Sequence, residues 1–233
     1  MQTIGLLGGM SWESTQSYYA AINQGIKQQL GGLHSAKLVL YSVDFAEIEA
    51  LQQRGDWQAA ADILGHAALS LQNAGADFLV IATNTMHKVA DEIQAQLRIP
   101  LLHIADATAA MLLQQGVTRV GLLGTAFTME QRFYRERLEN QGIEVLIPHA
   151  DERNDVHRVI YAELCLGDIR GSSRARYLEI IKNLSERGAQ GVILGCTEIG
   201  LLVNQNDTKT PLYDTAVIHA DAAVNKALAE VRD

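Results

Sequence analysis

"IGLLGG" at residues 4–9 returns as "VGLLGT" at residues 120–125, an offset of 116 residues (120 − 4). "VIATNT" at 80–85 is answered by "ILGCTE" at 193–198, which aligns Thr83 with Cys196 at an offset of 113 (196 − 83). "IPLLHIADAT", beginning at Ile99, is answered by "TPLYDTA", beginning at Thr210, so Pro100 matches Pro211 at an offset of 111 (211 − 100). Three landmarks in one order, with a drift of a few residues, indicate an internal duplication. The chain reads as two similar α/β halves related by a pseudo-two-fold axis.

Each half alternates short apolar runs with longer amphipathic ones. Strands are expected over 3–7, 37–43, 78–82, 101–104, 119–123, 145–147, 191–194 and 211–213. Helices are expected over 13–30, 57–74, 86–97, 129–141, 155–166, 173–187 and 216–231. Continuous apolar strands between helices of this length predict parallel sheets covered on both faces. Pro100 and Pro211 open short strands, where a missing N–H is tolerated, and Pro148 closes another. No Gly/Ser-rich linker separates the halves, so the chain is expected to cross near residue 104 and return near 210.

The bulk composition narrows the function. The chain has 233 residues, 48% of them hydrophobic, and a formal net charge of −8. That balance disfavours a nucleic-acid partner, which would need concentrated Lys and Arg. Two cysteines, Cys165 and Cys196, make no disulfide framework. The opening "MQTIGLLGGMSWES" lacks the basic segment and long apolar run of a signal peptide. No apolar stretch approaches the ~20 residues of a membrane helix. A soluble cytoplasmic protein with no membrane partner is expected.

Polar residues that interrupt this apolar pattern mark the candidate site. In "GLLGGMSWES" (5–14) a strand runs into glycines and a capped helix, an arrangement that offers backbone N–H groups to an anion. Ser11 or Ser14 is the expected cap, and Thr128-x-x-Gln131 in the second half has the capping-box pattern. The spacing Gly5-x-x-Gly8-Gly9 is not the dinucleotide fingerprint G-x-G-x-x-G. A carboxylate site and a tight βα turn both fit it. In "LGCTEIG" (194–200), Cys196 follows a strand and precedes a short helical segment, whose N–H groups would lower its pKa from about 8.5. A buried apolar filler is the alternative for an isolated cysteine, and that alternative suits Cys165 in "YAELCLG". Polar turns at the carboxyl ends of strands lie where open α/β sheets bind ligands. If the halves face each other, Thr83 and Cys196 enter one cleft from opposite sides. His87 and Glu198 follow the two turns and could orient that pair, though His87 also suits a structural donor. His103 reads as a strand residue. Gln52, Gln53 and Arg54 read as a polar loop, in which Arg54 either grips a carboxylate or is simply solvated.

"IGLLGGMSWEST", "TNTMHK" and "GCTEIGLL" together resemble the aspartate/glutamate racemase family, over nearly the whole chain from Gly5 to about Ala216. They look like its bacterial broad-specificity amino acid branch. The resemblance implies two flavodoxin-like domains, 1–103 plus 211–233 and 104–210, with the active site in the cleft between them. It also implies a homodimer and catalysis without pyridoxal phosphate or metal. In the family two cysteines flank the substrate α-carbon. Carried over, Cys196 matches the second and Thr83 stands where the first is expected. By the same match Met10, Asn84, Thr85 and Thr197 would bind the α-carboxylate or ammonium, with Gln52, Gln53, Arg54 and Glu198 completing the contacts. Relatives often carry a lysine where this chain has Cys165.

Threonine at 83 changes the expected chemistry. A thiolate serves as a base near neutrality because its pKa is within reach; a resting threonine alkoxide does not form. The implied reaction is racemisation of aspartate or glutamate, with Cys196 as base and Thr83 as proton donor. A single-cysteine decarboxylase or isomerase of the same fold, and a catalytically impaired binding protein, are the alternatives.

Overall fold

A computed structural model describes residues 1–229 and divides into two compact units, one of Met1–Ile104 with His219 onward and one of Ala105–Ile218. The first contains β1 (Ile4–Gly8), α1 (Trp12–Leu30), β2 (Leu38–Ser42), α2 (Phe45–Arg54), α3 (Trp57–Asn73), β3 (Phe78–Ile81), a 3-10 turn (Thr85–Val89), α4 (Ala90–Gln94) and β4 (Leu101–Leu102). From α5 (Ile104–Gln114) the chain enters the second unit: β5 (Arg119–Gly124), α6 (Ala126–Glu130), α7 (Arg132–Glu139), β6 (Glu144–Leu146), α8 (Ala150–Ala162), a 3-10 turn (Leu164–Leu166) and α9 (Gly171–Glu186). β7 (Val192–Gly195), α10 (Ile199–Leu202), a 3-10 turn (Gln205–Asp207), β8 (Leu212–Asp214) and α11 (Thr215–Leu228) follow. The end of the helix expected over 216–231, at Glu230 and Val231, lies outside the described residues.

Each unit holds a parallel four-stranded sheet, ordered β2-β1-β3-β4 in the first and β6-β5-β7-β8 in the second. This is the strand order of a flavodoxin-like half, whose switch point lies between its first and third strands. β1, β3 and β7 are buried along their whole length, because helices cover both faces, and their unbroken apolar sequences reflect that. α1 lays Tyr18, Ile22 and Ile26 on the sheet at steps of four residues. α9 buries Tyr177, Ile181 and Leu184, at steps of four and three residues. Each such Leu or Ile contributes about 1.5–3 kcal/mol by leaving water.

The boundary expected at 210/211 is replaced by one between Ile218 and His219. Pro211 does not return the chain to the first unit. It opens β8, whose register with β7 pairs Ile193 with Tyr213, and its carbonyl accepts the Val192 N–H at 2.8 Å.

Three local expectations also change. Gln52–Arg54 is the last turn of α2, which Asp44 caps by accepting the Ala46 N–H at 3.0 Å and Gly55 ends in the left-handed conformation. The strand expected over 101–104 stops at Leu102, so His103 is a link residue, and α5 starts at Ile104. Its buried Ile104, Thr108 and Leu112 again step by four. Cys165 sits not in α8 but in the 3-10 turn after it, half-buried against the core cluster that includes Cys196.

α11 reaches unit 1 through His219, which is fully buried. Its Nε2–H donates to the Leu102 carbonyl at 2.8 Å and its Nδ1 accepts from the Tyr18 hydroxyl at 3.0 Å. Burial pushes its pKa down to about 4, against a smaller upward pull from the Leu102 carbonyl. The folded imidazole is thus harder to protonate than the unfolded one. Its stabilisation is complete above an unfolded value of about 6.5 and is lost as pH falls toward 4, with about 2 kcal/mol gone by pH 5. Urea unfolding at pH 7.5 and pH 5 should show that loss, and His219→Asn should show a correspondingly shallower pH dependence.

Candidate functional site

The registers of the two sheets place the candidate residues at equivalent points. Leu7 pairs with Ile81 in the first sheet and Leu123 pairs with Leu194 in the second. These pairs are related by the same offsets as the sequence repeat. Thr83 and Cys196 therefore each lie two residues beyond equivalent paired positions, Ile81 and Leu194. Both stand at a carboxyl end beside the switch point, where an α/β sheet leaves room for a ligand.

The first turn beside this point is packed from within. Gly9 has φ +93°, open to glycine at no steric cost, and a side chain there would strike the backbone of Val43. Its N–H donates to Thr15 Oγ1 at 2.8 Å, while the Thr15 hydroxyl donates to the Ser11 carbonyl at 2.8 Å. Ser11 is the cap of α1, accepting from the Ser14 N–H at 3.4 Å. The amides of Gly9 and Ser14 are thus committed to the protein itself, and "GLLGG" reads as a tight βα corner with Met10 buried beyond it. In the second unit Thr125 is the cap of α6, not Thr128, which lies inside that helix and is buried.

At the end of β3, Thr83 is half-buried, and Asn84 and Thr85 are buried. The ring of His87, itself buried, grips this turn from behind. Its Nδ1 meets the Thr83 carbonyl at 2.7 Å and its Nε2 meets the Ile104 N–H at 3.2 Å. His103 and His219 pack around that ring, with centroids 4.5 Å and 5.8 Å away. Gln52 is buried and its amide donates to Met86 Sδ at 3.0 Å, next to Thr85. Gln53 and Arg54 are exposed on the last turn of α2, and no contact joins them to this group.

At the end of β7 the thiol of Cys196 donates to Glu198 Oε2 at 2.9 Å, and the Thr197 hydroxyl donates to the same oxygen at 2.9 Å. Cys196 and Glu198 are both buried. Burial, then the neighbouring Glu198 carboxylate, then Cys165 push the thiol well above its ordinary value. The expected depression is therefore reversed. α10 has only four residues, and the N–H of its first, Ile199, points to the Cys196 carbonyl at 3.1 Å instead of the sulfur. Cys196 is thus held as a thiol whose hydrogen points to Glu198.

Two further polar positions gain significance from the structure, His103, read in the sequence only as a strand residue, and Asp214, which sequence reasoning missed. They follow Pro100 and Pro211 at the same distance, so the repeat itself carried the signal. Asp214 is part of β8, and burial raises its carboxyl pKa although the Val217 and Ala216 N–H groups pull it down. Among the described residues no group of three or more His, Cys, Asp or Glu side chains could hold a metal ion, and no helix is long and apolar enough to cross a membrane.

The geometry has counterparts in known proteins. Residues 7–223 match the family model described as Asp/Glu/Hydantoin racemase. The broad specificity amino-acid racemase RacX of Bacillus subtilis (strain 168) is 24% identical over 229 residues, 97% of this chain and 98% of that protein. The crystal structure of a candidate Asp/Glu racemase from Yersinia pestis is 60% identical, with a TM-score of 0.92, over 98% of this chain and 100% of that one. An aspartate racemase homologue from Pyrococcus horikoshii OT3 is 35% identical, with a TM-score of 0.83, over 97% of this chain and 99% of the other. The chain belongs to the Asp/Glu/hydantoin racemase family.

Proposed function

We propose that the protein racemises an acidic amino acid, aspartate or glutamate, with Cys196 as base and Thr83 as opposing proton donor. The observation that carries the reading is the Cys196–Glu198 contact at the position equivalent to Thr83. A buried thiol gives up its proton only to an acceptor already in place, and Glu198 is that acceptor. The thiolate so formed takes the α-hydrogen as a proton, and the electron pair of the C–H bond passes to the α-carbon and its carboxylate. The Thr83 hydroxyl then gives its proton to the other face, and the alkoxide left behind is reprotonated by water. Asn84, Thr85, Thr197 and Met10 are proposed to hold the α-carboxylate and ammonium. Gln52, beside Met86, belongs with them, whereas exposed Gln53 and Arg54 are assigned to the approach of the side-chain carboxylate.

Cys196 is assigned to the α-hydrogen of the L-enantiomer. Two enantiomers are equally stable in water, so kcat/KM is equal in both directions whatever groups face the carbon. The asymmetry between thiol and hydroxyl shows instead in kcat, in KM and in solvent exchange of the α-hydrogen. Chiral chromatography after incubation with each enantiomer of aspartate and glutamate tests the activity. In deuterated water, α-deuterium should enter recovered L-substrate faster than recovered D-substrate. Exchange confined to D-substrate would overturn the assignment of faces. The lone thiol also suits decarboxylation of a substituted malonate, which needs protonation on one face only; carbon dioxide release without racemisation would select that reaction.

Glu198→Gln separates the two effects of the carboxylate. Removing its charge takes away one cause of the raised thiol pKa, so alkylation of Cys196 by iodoacetamide at pH 7 should quicken several-fold. Removing the proton acceptor should lower kcat by about 10²-fold. A variant with unchanged kcat would deny Glu198 the acceptor role.

A further inference from the structure

The bonds of His87 assign its protonation state. The Ile104 N–H is a donor, so Nε2 facing it at 3.2 Å must present a lone pair. The hydrogen of the neutral ring then sits on Nδ1, which donates to the Thr83 carbonyl at 2.7 Å. With one nitrogen giving and the other receiving, the ring is a strut between the end of the β3 turn and the first residue of α5. It is buried, and the rings of His103 and His219 close around it.

We infer that His87 is a positioning residue, which fixes the Thr83 turn for proton delivery by holding the Thr83 carbonyl from behind. The role rests on the racemase reading above. The Thr83–Asn84 peptide is planar, so a bond to its carbonyl orients both Cα atoms and the bases of both side chains. Neither ring nitrogen has a proton or lone pair to spare for the substrate, which separates His87 from catalytic acids and bases. The strut acts on the Thr83 half of the reaction alone. Removal of the α-hydrogen by Cys196, and its return to the same face, do not depend on it.

Two amides divide the strut into its bonds. The amide nitrogen of His87→Asn reaches the place of Nδ1 and keeps a donor for Thr83. The amide of His87→Gln reaches the place of Nε2 and keeps an acceptor for Ile104, leaving the Thr83 carbonyl without its donor. His87→Gln is expected to lower kcat for inversion about 10-fold in each direction with KM within about 3-fold, while α-deuterium entry into recovered L-substrate stays within about 3-fold. His87→Asn should keep inversion within about 3-fold of the unaltered protein. A merely structural role predicts a different result, in which both variants lose inversion and exchange together, and that result would overturn the inference. Equal inversion in all three proteins would overturn it as well. Nitrogen-15 NMR of the unaltered protein supplies a test that needs no variant to fold: the His87 ring should carry its hydrogen on Nδ1, and a hydrogen on Nε2 sinks the strut. An unaltered protein that neither inverts nor exchanges either enantiomer of aspartate or glutamate rejects the racemase reading, and with it this role. An unaltered protein that inverts substrate alongside indistinguishable Asn and Gln variants rejects the role of His87 alone.

Discussion

Cys196→Ala should reduce interconversion of the aspartate or glutamate enantiomers by about 10³-fold or more, and should abolish entry of α-deuterium into recovered L-substrate. General base catalysis by a positioned group contributes about 10²–10⁴-fold. The buried carboxylate of Glu198 keeps the Thr197 hydroxyl as a donor when the thiol is gone. The variant is therefore spared the full cost of a buried unpartnered charge. Loss of the sulfur from the core around Cys196 should cost about 1 kcal/mol, which urea unfolding would register as a folded, slightly less stable protein. Chiral chromatography and mass spectrometry of the recovered amino acid together decide the outcome. Undiminished inversion in Cys196→Ala would remove the thiol from the mechanism.

Thr83→Ala should produce the second largest effect, a fall of about 10²-fold in inversion, and it should do so selectively. Proton removal by Cys196 and return from the same face survive, so L-substrate still acquires deuterium while little D-product appears. Thr83→Cys should act in the opposite sense and raise inversion above that of the unaltered protein, because a thiol at this point can donate and accept within the working pH range. Its signature is deuterium entering both enantiomers at comparable rates. The two substitutions also discriminate the reaction classes. A decarboxylase that protonates one face needs Cys196 but is indifferent to the residue at 83. A Thr83→Ala variant with unimpaired inversion would leave the hydroxyl without a part in it.

Much of this arrangement was legible because duplication writes the same strand–turn pattern twice. The correspondence of Thr83 with Cys196 needed only the repeat, and the sheet registers reproduce it from backbone pairing. α2 was harder to see because its last turn, Gln52–Arg54, is polar. Its boundary signals were nevertheless present, with Asp44 as cap, Gly55 as terminator and buried Ile48 and Leu51 between them. The thiol pKa was misread for a different reason. A short helical segment after Cys196 suggested an attracting dipole, but burial and the charge of Glu198 dominate, and both depend on three-dimensional surroundings. The ring cluster of His87, His103 and His219 was equally hidden. Its members come from a turn, a strand–helix link and α11, and no local periodicity connects residues so far apart.

That last helix has a consequence for how the protein is made. α11 docks on unit 1 through the His219–Tyr18 bond, through Val224 packed where Gly25 leaves space, and through the Ala227 carbonyl, which accepts the Gln2 N–H at 2.9 Å. Unit 2 is a contiguous run, Ala105–Ile218, and all its strands are synthesised before the part of α11 that joins unit 1. Domains ordinarily fold in the order of synthesis, but here the half begun first cannot be finished first. Its histidine-lined interior, including the ring behind Thr83, stays without its His219 wall until α11 has been made. Assembly of the hydroxyl-bearing half is thereby tied to synthesis of α11, while the thiol-bearing half can fold ahead of it.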